Sequence, residues 1–249
     1  MTVNLMINGL ACEAAPGQHV LDVARQNGIE IPTLCHHEAL AGQACCRLCV
    51  VEIEEASGAK DVVVSCTYPA KEGLKVSTDT EQVRRLQRTV LTLLAERAPL
   101  AEGALPAYCQ EYGVSGYGLR FTVDKDEKCI LCGLCTKACE ELGNSAISTT
   151  LRGVDKLVAP PFDEPSAACI GCASCAEVCP TGAIACEDAD GVRRIWEKDF
   201  ALVRCEACGK PFATAEELAW LKEKLLDTEL NLAYCPSCRG KASLKDLTK

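Results

Sequence analysis

Short apolar runs broken by turn residues open the chain. Thr2 to Ile7 and Leu10 to Ala14 flank Asn8-Gly9, which predicts a β-hairpin. Val20, Leu21 and Ala24 have helical spacing over Val20 to Asn27, and Gly28 closes the segment as a C-cap. Val51 to Ile53 and Val62 to Val64 predict a second hairpin turning at Ser57-Gly58, so the first unit is a small sheet with a helix across it. From Thr80 to Ala95, apolar residues at 83, 86, 90, 93 and 94 mark one helical face. Residues 96 to 120, rich in Ala, Gly and Pro, follow as a linker. Further on, Ala146 to Thr150 and Lys156 to Ala159 form a strand pair turning at Arg152-Gly153. Thr214-Ala-Glu-Glu217 is a capping box opening a helix to about Leu226. That helix sets Leu218, Leu221, Leu225 and Leu226 against Glu216, Glu217, Lys222, Glu223 and Lys224. The expected divisions are 1–78, 79–120, 121–199 and 200–249, and the expected class is α+β.

Cysteine changes this picture most. There are 20 in 249 residues against only 4% aromatic residues, so metal centres must replace much of the usual core. Cys129, Cys132, Cys135 and Cys139 follow C-x2-C-x2-C-x3-C, and Cys169, Cys172, Cys175 and Cys179 repeat it. That is the bacterial run for [4Fe-4S] clusters, in which the fourth cysteine of each run ligates the other cluster. The expected sets therefore cross: Cys129, Cys132, Cys135 and Cys179 hold one cluster, and Cys169, Cys172, Cys175 and Cys139 the other. Such spacing favours metal over a disulfide framework. Nearer the start, Cys35, Cys46, Cys49 and Cys66 match the close pair and distant fourth ligand of a plant-type [2Fe-2S] site, with a longer first gap.

Around these cysteines the sequence resembles a known family. A-C-C-R-L-C-V-V-E (44–52) and C-T-Y-P-A-K-E-G-L-K-V (66–76) are similar to the N-terminal [2Fe-2S] domain of the large iron-sulfur subunit of respiratory complex I. The same domain occurs in its relatives among NAD-linked hydrogenases and formate dehydrogenases. C-I-L-C-G-L-C-T-K-A-C-E-E-L-G and C-A-E-V-C-P-T-G-A-I extend the resemblance to about residue 195. It implies a β-grasp [2Fe-2S] domain, then a dicluster domain. By register it makes Cys46 the ligand and Cys45 the spare. It also implies a further cluster held by one His and three Cys after the Thr80 helix. Here Glu96-Arg97 stand where that His should fall, and only Cys109 follows before Phe121, so that cluster is expected to be absent.

Cys205, Cys208, Cys235 and Cys238 form two C-x2-C knuckles, a four-thiolate set suited to structural Zn in a zinc-ribbon-like module. Rubredoxin-type iron uses the same ligands. Cys12, Cys45, Cys109 and Cys186 fall outside every set, and Cys45, Cys109 and Cys186 are expected to pack as small hydrophobes. His36 and His37 are expected to cover the Cys35 loop rather than catalyse.

No dinucleotide or P-loop fingerprint is present and no nucleophile-base pair stands out, so the expected chemistry is electron movement without a catalytic site. The net charge of −9 argues against nucleic acid, and with it against a redox-sensing regulator. Without a signal-like start or a long apolar run, the expected setting is cytoplasmic with no membrane span. The resemblance implies an electron-relay subunit of a soluble NAD(P)-linked oxidoreductase complex. Its implied partners are an NAD(P)-binding flavoprotein subunit and a catalytic oxidoreductase subunit, with ferredoxin as a further candidate. A free-standing ferredoxin-like carrier is the alternative. Deleting residues 200–249 is expected to spare all three iron-sulfur clusters and to weaken docking to a partner subunit.

Overall fold

The computed structural model describes residues 2–40, 42–115, 126–225 and 231–240. The chain divides into two units, one of residues 1–137, 151–157 and 178–183, the other of 138–150, 158–177 and 184–249. Phe121 and Leu226, expected bounds of the dicluster domain and of the last helix, lie outside the described residues.

In the first unit, β1 (Val3–Ile7) and β2 (Leu10–Ala14) pair antiparallel. Asn8 and Gly9 both take left-handed backbone between them, the type I′ geometry that matches strand twist. After α1 (Val20–Gln26) come β3 (Val50–Glu54), β4 (Lys60–Val64) and β5 (Leu74–Ser77). The sheet order is β2-β1-β5-β3-β4, with β1 and β5 parallel at its centre. Two hairpins around a central parallel pair, crossed by one helix, is the β-grasp arrangement. Alternation puts Leu5, Ile7, Val51, Ile53, Leu74 and Val76 on one face, where they bury against Val20, Leu21 and Val23 of α1.

Helix α2 (Glu81–Arg97) is capped by the Thr80 hydroxyl, which accepts from the Val83 N–H at 3.2 Å. Its buried stripe is Val83, Gln87, Leu91 and Thr92, while Leu93 is exposed. The face expected from apolar spacing is thus rotated, because α2 packs against both β3 and α3 (Ala104–Glu111). Helix α3 lies where a linker was expected. Pro106 sits in its first turn, where a missing N–H costs little, and Leu105 is buried. Arg97, which with Glu96 stands where the family resemblance expects a His, donates to the Val154 and Lys156 carbonyls at 3.2 and 2.9 Å. It also lies 3.7 Å from the Glu127 carboxylate.

Helix α4 (Leu134–Glu141) begins in the first unit and ends in the second. Two short strands, β6 (Ser148–Thr150) and β7 (Leu157–Ala159), pair as expected, and α5 (Ser174–Glu177) follows. Next comes a four-stranded antiparallel sheet of β8 (Cys186–Ala189), β9 (Val192–Ile195), β10 (Lys198–Arg204) and β11 (Pro211–Thr214), then α6 (Ala215–Lys224). Strand β10 runs through the expected boundary at 199/200, so the tail belongs to the sheet that precedes it. The Thr214 hydroxyl caps α6 by accepting from the Glu217 N–H at 3.1 Å.

Candidate metal centres

The first four-cysteine site lies at the seam of two buried clusters in the first unit. Cys49 and Cys66 belong to the sheet core, and Cys35 and Cys46 to a second cluster with Leu34, Leu48, Leu91 and Leu105. Strand pairing explains half of this geometry. Val50 faces Val64 across β3 and β4, so the residues just outside the hairpin, Cys49 and Cys66, emerge side by side. Ser65 fixes them there, donating its N–H and its hydroxyl to the Cys49 carbonyl, each at 2.9 Å. The Cys46 N–H donates to Cys35 Sγ at 3.3 Å.

These thiols hydrogen-bond in two pairs. Cys35 holds the Cys46 thiol down to about 6, and its own rises in return. Cys66 likewise lowers Cys49 to about 7 while its own pKa rises. Each pair thus holds one readily ionised sulfur, the form that binds iron. Cys45, expected to pack as a small hydrophobe, is instead exposed, with its sulfur 3.6 Å from the Gln43 carbonyl.

The two repeated runs share a backbone device. Left-handed residues fall two positions after the first cysteine, Leu131 and Gly171, and one after the second, Gly133 and Ala173. Leu131 and Ala173 adopt that conformation at a steric cost, which a site that must gather three thiolates sustains. The two units sort the cysteines into crossed groups. Cys129, Cys132, Cys135 and Cys179 lie in the first, and Cys139, Cys169, Cys172 and Cys175 in the second. Helix α4 carries Cys135 and, one turn on, Cys139.

Burial raises Cys132 to about 12, and the charge of Cys179 adds to it. Cys175 rises to about 11 by burial, with Cys172, Cys169 and Cys139 adding to it. Thiols so crowded and dry resist ionisation together unless cationic iron neutralises them, so both sets fit a cluster. Backbone N–H groups already point at the sulfurs: Leu131 to Cys129 and Ala183 to Cys179 at 3.3 Å, and Ala146 to Cys139 at 3.2 Å. Cys139, Cys169, Cys172 and Cys175 line one pocket together with Ile147, Ile195 and Trp196.

The fourth set is drawn tighter. The sulfurs of Cys205, Cys208, Cys235 and Cys238 all lie within 4.8 Å of one another, the one such group among the described residues. Cys208 and Cys235 are 3.9 Å apart, close to the ~3.8 Å edge of a tetrahedron with metal-sulfur bonds of about 2.3 Å. The set therefore fits one metal ion better than a multi-iron cube. The Cys235 N–H lowers Cys205 to about 6, and hydrogen bonding to Cys235 raises Cys238 to about 12.

Cysteine spacing alone gives no hint of several side chains that shape these sites. Gln43 donates from Nε2 to the Gly133 carbonyl at 3.2 Å, tying the Cys35–Cys46 loop to the Cys129 run. Trp196 Nε1 donates to Cys175 Sγ at 3.4 Å. Phe200 lies so close to Gly171 that a Cβ there would sit 2.6 Å from the ring. The one legible signal was Asp190-Gly191, a type I′ pair that predicts the β8–β9 hairpin and hence a sheet at this point.

Residues 1–81 match the family of 2Fe-2S iron-sulfur cluster binding domains, and 122–186 the 4Fe-4S dicluster domains. The chain is 31% identical over 211 residues to NADP-reducing hydrogenase subunit HndD of Solidesulfovibrio fructosivorans, covering 73% of this chain and 36% of that one. It is 27% identical over 217 residues to the 75 kDa subunit of NADH-ubiquinone oxidoreductase from Reclinomonas americana, covering 78% and 31%. It thus spans about a third of these relatives' lengths. A crystal structure of an NAD+-reducing [NiFe]-hydrogenase in the H2-reduced state superposes with a TM-score of 0.64 at 26% identity, covering 73% of this chain and 86% of that one. The chain is an iron-sulfur protein, a [2Fe-2S] domain followed by a [4Fe-4S] dicluster domain, homologous to subunits of NADP-reducing hydrogenase and NADH-ubiquinone oxidoreductase.

Proposed function

We propose that this chain is an electron-relay subunit of an NAD(P)-linked multi-subunit oxidoreductase, passing single electrons between a flavoprotein subunit and a catalytic subunit. Cys35, Cys46, Cys49 and Cys66 would hold a [2Fe-2S] cluster. Cys129, Cys132, Cys135 and Cys179 would hold one [4Fe-4S] cluster, and Cys169, Cys172, Cys175 and Cys139 the other. Cys205, Cys208, Cys235 and Cys238 would hold a structural Zn in a zinc-ribbon-like module. The clusters supply one-electron exchange, and the protein supplies position, dryness and hydrogen bonds to sulfur. A reducing cytoplasm, where thiols stay free of disulfides, suits such a chain. Among the described residues, no helix is long and apolar enough to cross a membrane.

One observation carries the reading. Cys35 and Cys46 of the first set and Cys132 of the second share a single buried cluster, bridged further by the Gln43 to Gly133 hydrogen bond. Two metal sites walled by the same core residues make a path, whereas a merely structural staple needs only one.

The isolated, metal-loaded chain is expected neither to bind nor to oxidise NADH, and to be reduced by NADH once a flavoprotein subunit is added. Bleaching of its iron-sulfur absorbance by NADH alone would overturn the relay. Anaerobically purified protein is expected to carry about ten iron atoms and about one zinc. About eleven iron atoms without zinc would convert the tail site to rubredoxin type.

A further inference from the structure

Trp196 and Glu197 form the two-residue turn between β9 and β10, with Ile195 facing Lys198 across the register. Both have left-handed backbone, φ 52° and 57°. Such turns favour Asn-Gly because both central residues need positive φ, and a bulky tryptophan there is an outlier. Backbone of this cost persists only where its surroundings hold it, and it concentrates at functional positions. Here the surroundings are the second cluster loop. Trp196 Nε1 donates to Cys175 Sγ at 3.4 Å, and Lys198 Nζ donates to the Cys169 carbonyl at 2.9 Å and the Ser166 carbonyl at 3.2 Å. Arg193 donates to the Gly171 carbonyl at 3.0 Å, so the hairpin grips the loop at several points.

We propose that Trp196 is a positioning residue that raises the reduction potential of the cluster held by Cys139, Cys169, Cys172 and Cys175. The inference rests on that ligand assignment, but not on the identity of the electron donor or acceptor. Reduction adds one electron to a site already surrounded by four thiolates. A hydrogen bond to one of those sulfurs strengthens as its negative charge grows, so the N–H favours the reduced state. The Lys198 ammonium beside Cys169 acts in the same direction. The strained turn keeps the indole edge aimed at the sulfur. A turn of Asn-Gly would relax the backbone and lose the donor.

The test is a dithionite-driven redox titration of the full-length protein, followed by electron paramagnetic resonance, for wild type and Trp196→Phe. Phe keeps a ring and removes the N–H. At a fixed potential the ratio of reduced to oxidised second cluster is expected to fall about tenfold, equivalent to 59 mV for a one-electron couple. The other two clusters should titrate unchanged. An unmoved potential in a variant that retains its iron would overturn the proposal. Should Trp196→Phe lose the second cluster, the deciding measurement is made on wild type carrying 15N-indole tryptophan. A 15N coupling to the reduced second cluster supports the hydrogen bond, and its absence overturns it. Wild-type protein with no second [4Fe-4S] signal would overturn the ligand assignment and the proposal with it, whereas failure of the NADH test alone would leave both standing.

Discussion

A chain ending at Asp199 is expected to retain about six iron atoms instead of about ten, the loss falling on the second [4Fe-4S] cluster. The reason is that the tail walls that site. Phe200, 1% exposed, packs so closely over Gly171 that a Cβ there would sit 2.6 Å from its ring. Thr214 donates its hydroxyl to the Ile170 carbonyl at 2.5 Å while capping α6. Truncation removes both groups together with β11 and most of β10. The loop bearing Cys169, Cys172 and Cys175 then meets water, and a cluster held by an unfixed, wet loop is readily lost. This reverses the expectation that residues 200–249 are dispensable for cluster assembly. Iron and acid-labile sulfide analysis decides it: full iron content in the truncated chain would show that the tail only docks or caps.

Replacing Cys179 with serine is expected to abolish the cluster of Cys129, Cys132 and Cys135 while leaving that of Cys169, Cys172 and Cys175 intact, a loss of roughly four of ten iron atoms. Cys179 follows the second run in sequence, yet its charge acts on Cys129 and Cys132. Cys139→Ser should do the mirror image, because Cys139 acts on Cys169 and Cys175. Cluster-resolved paramagnetic resonance of the two reduced variants separates the outcomes. Loss of the Cys169 cluster in Cys179→Ser would show that each run ligates its own cube.

Much of the first unit was legible because its signals are local. Asn8-Gly9 and Ser57-Gly58 lie between alternating runs, and Thr80 and Thr214 cap the helices that their positions predict. The cysteine runs of the [2Fe-2S] and dicluster domains are legible for the same reason, since their spacing is a local pattern. The β8–β11 sheet escaped because charged residues interrupt the apolar pattern of β8, β9 and the start of β10. Arg193 faces Asp188 and Arg194 faces Asp199 in cross-strand ion pairs, which hold the sheet without apolar alternation. Helix α3 escaped because Gly103 and Pro106 look like breakers. Neither Trp196 nor Phe200 belongs to any motif, and their roles come from residues about 20 to 30 positions away that only the folded chain brings near.

The core shared by Cys35, Cys46 and Cys132 also bears on how the protein is made and repaired. Cys35 and Cys46 are 1% and 5% exposed and Cys132 is 7% exposed, so these three thiols are out of reach of an incoming cluster once that core has closed. Cluster delivery is therefore expected to precede closure, which would couple the loading of both proposed sites of the first unit to its folding. Binding at each contributes to the same folding free energy. Under oxidative stress the sharing is expected to be a drawback, since loss of one cluster would loosen walls that its neighbour also uses.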